Sequence, residues 1–496
     1  MVLDLGVTDR CGDARHARLT VSGRLLGILV GGLLLTLGGC GSLTQLNTAP
    51  VTIDVPETWS VANAIEPGGN TSLAQWWLHF NDPLLGRLVE QALHANSSIT
   101  SAQAALRQAR ALRDITAAGL APIIGSSASA KRSKSGDNDA TNIFAVGLDA
   151  SWELDIFGAN QSALAASEAT VLASAASLGD VQVSIAAEVA ISYIFLRGNQ
   201  ARLVIADANL ASQLETLQIT RWRLQAGLVT SLEAEQARAA AEQTRAQLPA
   251  LQTSIEQAKH ALAVLTGQPP AALSRVLAIA SPVPQAADDL ALSIPAETLR
   301  QRPDVRGAEY AVTAAAARVA QADAERLPSF KLGGSLGLNA LTLGGLTNGA
   351  TVVSALLASV SLPVFNGGAL RAQVLVQQAA LEQTQADYQA TVLTALKDVE
   401  NALVALRGDR QRLQRLHQAA EAAANASLMA RQRYSSGLID FQVVLETQRT
   451  QLSTQDAVAS ANADLSADHV RLYKALGGGW PSDGGAVGDD ITQTSQ

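Results

Sequence analysis

From residue 144 to residue 154, apolar side chains occupy every second position. Phe144, Val146, Leu148, Ala150, Trp152 and Leu154 alternate with Ala145, Gly147, Asp149, Ser151 and Glu153. Phe330, Leu332, Leu336 and Leu338 alternate in the same way with Lys331, Gly333, Ser335 and Gly337. A period of two puts each set on one side of a strand. Four strands are predicted, at 121–131, 142–155, 329–338 and 351–362. Elsewhere the period is helical. Leu396, Val399, Leu403, Leu406, Leu413 and Leu416 mix steps of three and four, the spacing of a coiled-coil seam. Pro is absent from Ile123 to Leu248 and from Val364 to Trp480, so nothing interrupts long helices there. They are predicted at 159–226, 230–266, 367–435 and 440–476, with shorter helices from about Asp82 to Ala118 and from about Pro303 to Arg326. At ~1.5 Å per residue, the first long helix would reach about 100 Å.

The pattern occurs twice. Leu196-Arg197-Gly198 returns as Leu406-Arg407-Gly408, Gly227-Leu228 as Gly437-Leu438, and Gly267 as Gly477, all at an offset of 210. Phe157-Gly158 matches Phe365-Asn366 at 208, and Pro122 matches Pro328 at 206. Such a register marks two copies of one structural unit. The copies are placed at 82–267 and 299–480, joined by a Pro-rich connector at 268–298 and followed by a disordered tail at 481–496.

At the amino terminus Arg15, Arg18 and Arg24 precede an apolar run from Leu25 to Leu37. A basic start, a short apolar core and small residues before a cut describe a secretory signal, here 1–39. Leu37-Gly38-Gly39 before Cys40 resembles the lipobox of bacterial lipoproteins. That resemblance implies cleavage before Cys40 and lipid attachment to it, with 40–81 a lipid-anchored segment. Gly41, rather than Asp, follows the Cys and favours the outer membrane. Cys11 is lost with the signal, so no internal disulfide is possible.

Composition narrows the class. The 496 residues are 48% hydrophobic but only 4% aromatic, and the formal net charge is −8. Low aromatic content with abundant Ala, Gln and Leu favours closely packed helices over a compact enzyme core. The acidic balance argues against a nucleic-acid partner. The six His, at 16, 79, 94, 260, 417 and 469, lack metal-ligand spacing. No phosphate-cradling loop is present, and Gly477-Gly478-Gly479 suits a helix end. No enzymatic activity, metal or cofactor is expected, the one covalent group being lipid on Cys40.

After the signal, no stretch has the roughly 18 consecutive apolar residues of a spanning helix. A span must therefore be made of strands. The two-faced strands suit a barrel wall, with Phe144, Val146, Leu148, Trp152, Leu332, Leu336 and Leu356 toward lipid. Four strands cannot close a barrel, and an open edge cannot lie in lipid. Several chains must share it: two would leave an interior filled by side chains, and three a channel.

Several motifs, in order, resemble the outer-membrane efflux protein family (TolC/OprM-type factors) in its lipoprotein branch. These are Gln75-Trp76-Trp77 with Phe80-Asn81-Asp82-Pro83-Leu84-Leu85, and Trp152-Glu153-Leu154-Asp155-Ile156-Phe157-Gly158. Arg302-Pro303-Asp304-Val305, Arg433-Tyr434 with Gly437 and Leu445-Glu446-Thr447-Gln448-Arg449, and Tyr473-Lys474-Ala475-Leu476-Gly477-Gly478-Gly479-Trp480 complete them. The resemblance implies a homotrimer in the outer membrane of a Gram-negative bacterium, with a 12-strand transmembrane β-barrel and a 12-helix α-helical barrel in the periplasm. It implies opening by a periplasmic adaptor (membrane fusion protein) and an inner-membrane resistance–nodulation–division pump. Tip turns with Gly227, Leu228, Gly437, Leu438 and Asp440 would meet the adaptor, and Gln442, Glu446 and Arg449 would form the gate. Glu446 stands where the family more often has Asp, and Gln442 where relatives can have an apolar plug. Two other functions stay open: an exit duct for type I protein secretion, and a coiled-coil lipoprotein tethering envelope layers. The tether accounts for the lipobox and helices but not for the strands or the repeat.

Overall fold

The computed structural model describes residues 73–286 and 296–480. Cys40, the signal, most of the anchored segment, 287–295 of the connector and the tail lie outside the described residues. After a short 3₁₀ segment at Leu73–Phe80, the first copy comprises α1 (Pro83–Ala95), α2 (Ser97–Ala118), β1 (Ile123–Ser133), β2 (Thr141–Leu154), α3 (Ala159–Gln225) and α4 (Ser231–Leu265). The second comprises α5 (Pro303–Ala324), β3 (Ser329–Ala340), β4 (Thr351–Ser361), α6 (Ala369–Ser435) and α7 (Phe441–Ala475). The strands pair antiparallel in the order β1-β2-β3-β4, which leaves β1 and β4 as open edges.

The long helices repeat residue for residue. α3 and α6 have 67 residues each, α4 and α7 have 35, and every boundary is offset by 210. This corrects the pairing of Phe157-Gly158 with Phe365-Asn366. The left-handed residue before α3 is Gly158 and its counterpart before α6 is Gly368, so the copies already share the offset of 210 there. The slip is absorbed in the preceding loop, which is longer after β4 than after β2.

The expected single helix from Asp82 to Ala118 is two helices. Asn96 leaves the helical region, caps α2 by accepting from Ser98 N at 2.8 Å, and donates Nδ2 to Leu265 O at 2.9 Å. The start of α2 therefore abuts the end of α4. Arg302 does the same for the second copy, donating Nη1 to Ala475 O at 2.7 Å where α5 meets α7. Donors at a helix C-terminus satisfy carbonyls that the helix itself leaves unpaired. By this joining, each 67-residue helix is flanked along its length by two shorter ones, placed end to end.

α3 packs on α4, α6 on α7, and α3 on α7, so the four lie in the order α4-α3-α7-α6. Of the coiled-coil seam read in α6, Val399, Leu403 and Leu406 are buried, with Leu396 and Leu413 packed beside them. α3 is apolar enough over part of its length to cross a bilayer, but half of that window is buried within the chain. At about 100 Å it is also far longer than a ~30 Å hydrocarbon layer requires. Its apolarity serves packing.

The two ends of the described chain meet beside the middle of these helices. Trp76 stacks on Tyr473 at 5.5 Å, and Gly479 N donates to Leu73 O at 2.8 Å. Asp82 caps α1 through Leu84 N and Leu85 N and accepts from Tyr193 Oη at 2.8 Å. Tyr193 Oη in turn accepts from buried Arg197, which also donates to Ile279 O in the connector. Burial pushes the Tyr193 phenol up to about 12, so it remains a neutral donor.

Candidate functional site

Two regions carry functional geometry: the sheet and the helix tips at the opposite end of the long helices. In the sheet the register decides which side each residue takes. Val146 pairs with Leu338, Leu148 with Leu336 and Trp152 with Leu332. Gly334 pairs with both Ala150 and Leu356. Phe144, Val146, Leu148, Trp152, Leu332, Leu336 and Leu356 therefore share one face, since opposed residues point the same way. That face is exposed within the single chain, Leu356 at 86% and Leu336 at 56%. The opposite face holds a Glu153–Lys331 ion pair at 3.3 Å and a Ser127 Oγ donation to Asp149 Oδ2 at 3.0 Å. Gly147, Gly333 and Gly337 lie on it too. It is not uniformly polar, because Val353 and Leu357 of the edge strand β4 also belong to it.

At the tips, α3 and α6 end in matching turns. Gly227 and Gly437 adopt φ of 71° and 75°. Leu228 N then donates to Arg223 O at 2.8 Å, and Leu438 N to Arg433 O at 2.9 Å. A left-handed residue closing a helix in this way suits Gly, which has no Cβ to clash. Thr230 precedes α4 and donates its backbone N–H to Glu233. Asp440 precedes α7 in extended conformation. Leu228 and Leu438 are exposed at 68% and 70%.

Behind the turns lies a small apolar core of Leu217, Ala237, Ala240, Tyr434, Phe441, Val444 and Leu445. A polar bridge joins the two hairpins at this level. Arg223 donates Nη1 to Tyr434 O at 2.6 Å and lies over the Tyr434 ring at 4.5 Å. Higher up, Gln448 donates to Thr216 at 2.9 Å, Arg431 donates to Ser212 at 2.9 Å, and Arg202 pairs with Asp456 at 2.7 Å. None of these bridging residues was singled out by periodicity, because their partners lie more than two hundred residues away.

Gln442, Glu446 and Arg449 occupy one exposed face of the first turns of α7. Among the described residues none of the three side chains has a hydrogen-bond or ion-pair partner, so Glu446 and Arg449 do not pair with each other. Arg449 borders a cleft of about 560 Å³ with Gln213, Thr244 and Asp456. The protomer thus leaves a carboxylate and a guanidinium available at the tip.

The comparisons agree with this geometry. The model of the outer membrane efflux protein family matches residues 88–268 and 294–478, which together take in both copies. The pyoverdine export outer membrane protein OpmQ of Pseudomonas aeruginosa is 32% identical over 474 residues, covering 90% of this chain and 96% of the relative. The toluene efflux pump outer membrane protein TtgF of Pseudomonas putida is 29% identical, with the same coverage. The solved outer-membrane channel OprN superposes with a TM-score of 0.82 at 36% identity, over 87% of this chain and 98% of that one. VceC of Vibrio cholerae gives 0.77 at 27%, over 82% and 99%. With both copies matched and the channel fold reproduced over nearly its whole length, the chain belongs to the outer membrane efflux protein family and is the outer-membrane exit channel of an efflux pump.

Proposed function

We propose that three copies of this chain assemble into one duct that passes small molecules, such as drugs or solvents, from the periplasm to the exterior. The observation that carries this reading is the four-stranded sheet, apolar on one face and open at both edges. In lipid those edges need partners. Joining β4 of one copy to β1 of the next closes twelve strands around a water-filled interior. The helices below continue the wall through the periplasm. A periplasmic adaptor engages the turns at Gly227, Leu228, Gly437, Leu438 and Asp440, and an inner-membrane pump of the resistance–nodulation–division type supplies the substrate. Lipid on Cys40 adds a second anchor.

Gln442, Glu446 and Arg449 form rings of three around the axis at the narrow end. Three carboxylates close together repel unless neutralised, and Arg449 of the same or a neighbouring copy is the available cation. Such partly exposed links contribute about 0–1 kcal/mol each, a strength that an adaptor can overcome. The test is assembly and conductance together. Purified protein is expected to run as heat-sensitive trimers on semi-native gels and to form channels in planar bilayers. A protein that stays monomeric and passes no current would remove the duct reading.

A further inference from the structure

The repeat points to a specific seam between copies, an inference that rests on the trimeric reading above. Within one chain, α3 lies along α7. Gly198 sits so close to that helix that a Cβ added to it would be 2.8 Å from the Ala463 Cβ. Arg202–Asp456 at 2.7 Å and Asn209–Gln455 at 2.8 Å continue the same line of contact. Gly198 and Asn209 are buried there, as is Ala463 opposite.

Shifted by the constant offset of 210, α3 becomes α6, and α7 corresponds to α4. The counterparts of Gly198, Arg202 and Asn209 are Gly408, Arg412 and Ala419. Those of Gln455, Asp456 and Ala463 are Arg245, Ala246 and Thr253. All six counterparts are exposed, and a Cβ added at Gly408 would meet nothing within 4 Å. The same line of contact is thus buried in one place and bare in the other. It cannot be completed within the chain, because α4 and α6 are the outer helices in the order α4-α3-α7-α6 and do not pack along one another among the described residues.

We infer that α6 of one copy packs against α4 of the next copy in the geometry of the internal α3–α7 contact, with Gly408 seated against the neighbour's Thr253 region. The occupant is a second copy because the missing partner is a helix that this chain itself carries, in a register already set by the internal contact. Gly408 and Ala419 present no bulk that would hold the helices apart, since interaxial distance follows the side chains at the contact.

The test uses the full-length lipoprotein in outer membranes. The Gly408→Cys, Thr253→Cys double variant, oxidised in place, is expected to give dimer and trimer bands on non-reducing gels that collapse with dithiothreitol. Disulfides need Cβ atoms about 3.5–4.5 Å apart. Gly408→Cys combined with Glu235→Cys, about 27 Å further along α4, is expected to stay monomeric. Trimers on native gels with no Gly408–Thr253 cross-link, or a cross-link confined to single chains, would overturn the seam and leave the trimer reading standing. A wild-type chain that never trimerises overturns both. As a second measure, Gly408→Trp is expected to abolish trimers while the helical circular dichroism of the protomer persists. Undiminished trimers in that variant also overturn the seam.

Discussion

Asp468 shows how a single side chain can make this protein sensitive to pH. It is 2% exposed, and its Oδ2 has no hydrogen-bond partner. Burial first, and then the Asp409 carboxyl on α6, push it from 3.8 up to about 6, against the opposing pull of Arg471. The folded chain therefore holds this proton more tightly than the unfolded chain does. Its contribution favours folding on the acid side and is lost as pH rises from about 4 through about 6. Thermal melting of Asp468→Asn in detergent between pH 4 and pH 8 is expected to show a shallower loss of stability over that window than wild type. Equal slopes would exclude Asp468 as the source. At the tip, replacing Glu446 and Arg449 together by Ala removes the charges assigned to the closed ring. Single-channel conductance is expected to rise, and cells to become sensitive to vancomycin. Unchanged conductance and cation preference would take both residues out of the constriction.

Among the elements, the strands carry the sharpest expectation. Val146, Leu148 and Leu356 share the apolar face, whereas Ser151 lies on the other, opposite Gly333. Arg at any of the first three places charge in lipid, at a cost on the order of 2–4 kcal/mol near the midplane. These variants are expected to be depleted from outer membranes. Ser151→Arg should instead insert normally and alter conductance. Similar membrane yields for both classes would show that this sheet is not a barrel wall. The helices show why local pattern reads some elements well. The ends of α3 and α6 coincide with Gly227 and Gly437, where a positive φ makes a side chain costly. Asn96 is different. Its role as a break depends on the carbonyl of Leu265, which no local pattern could reveal.

For the whole molecule, anchoring and assembly separate. The sheet provides most of the membrane contact, so lipid on Cys40 supplements it. Cys40→Ser is expected to lose labelled acyl chains in metabolic labelling while trimers still form. Persistent labelling would show that Leu37-Gly38-Gly39-Cys40 does not direct acylation. Trimers that vanish with the lipid would show that the anchor, rather than strand closure, drives assembly. Both results bear on the coiled-coil tether as well, which predicts dependence on the lipid and no barrel.

The amino-acid sequence by itself determined the elements, the two copies and the class of the molecule. Period-two and helical spacings, glycine at the turns and motif order are properties of neighbours along the chain, and each survives in one dimension. Tertiary structure decided the rest. β4 alternates weakly, and Leu356 joins the apolar face only through its pairing with Gly334. Leu196-Arg197-Gly198 and Leu406-Arg407-Gly408 are identical in sequence, yet Arg197 and Gly198 are buried while Arg407 and Gly408 are exposed. Identical residues differ because burial depends on which helix lies opposite. For Gly198 that helix is α7 of the same chain, and for Gly408 the same chain provides none.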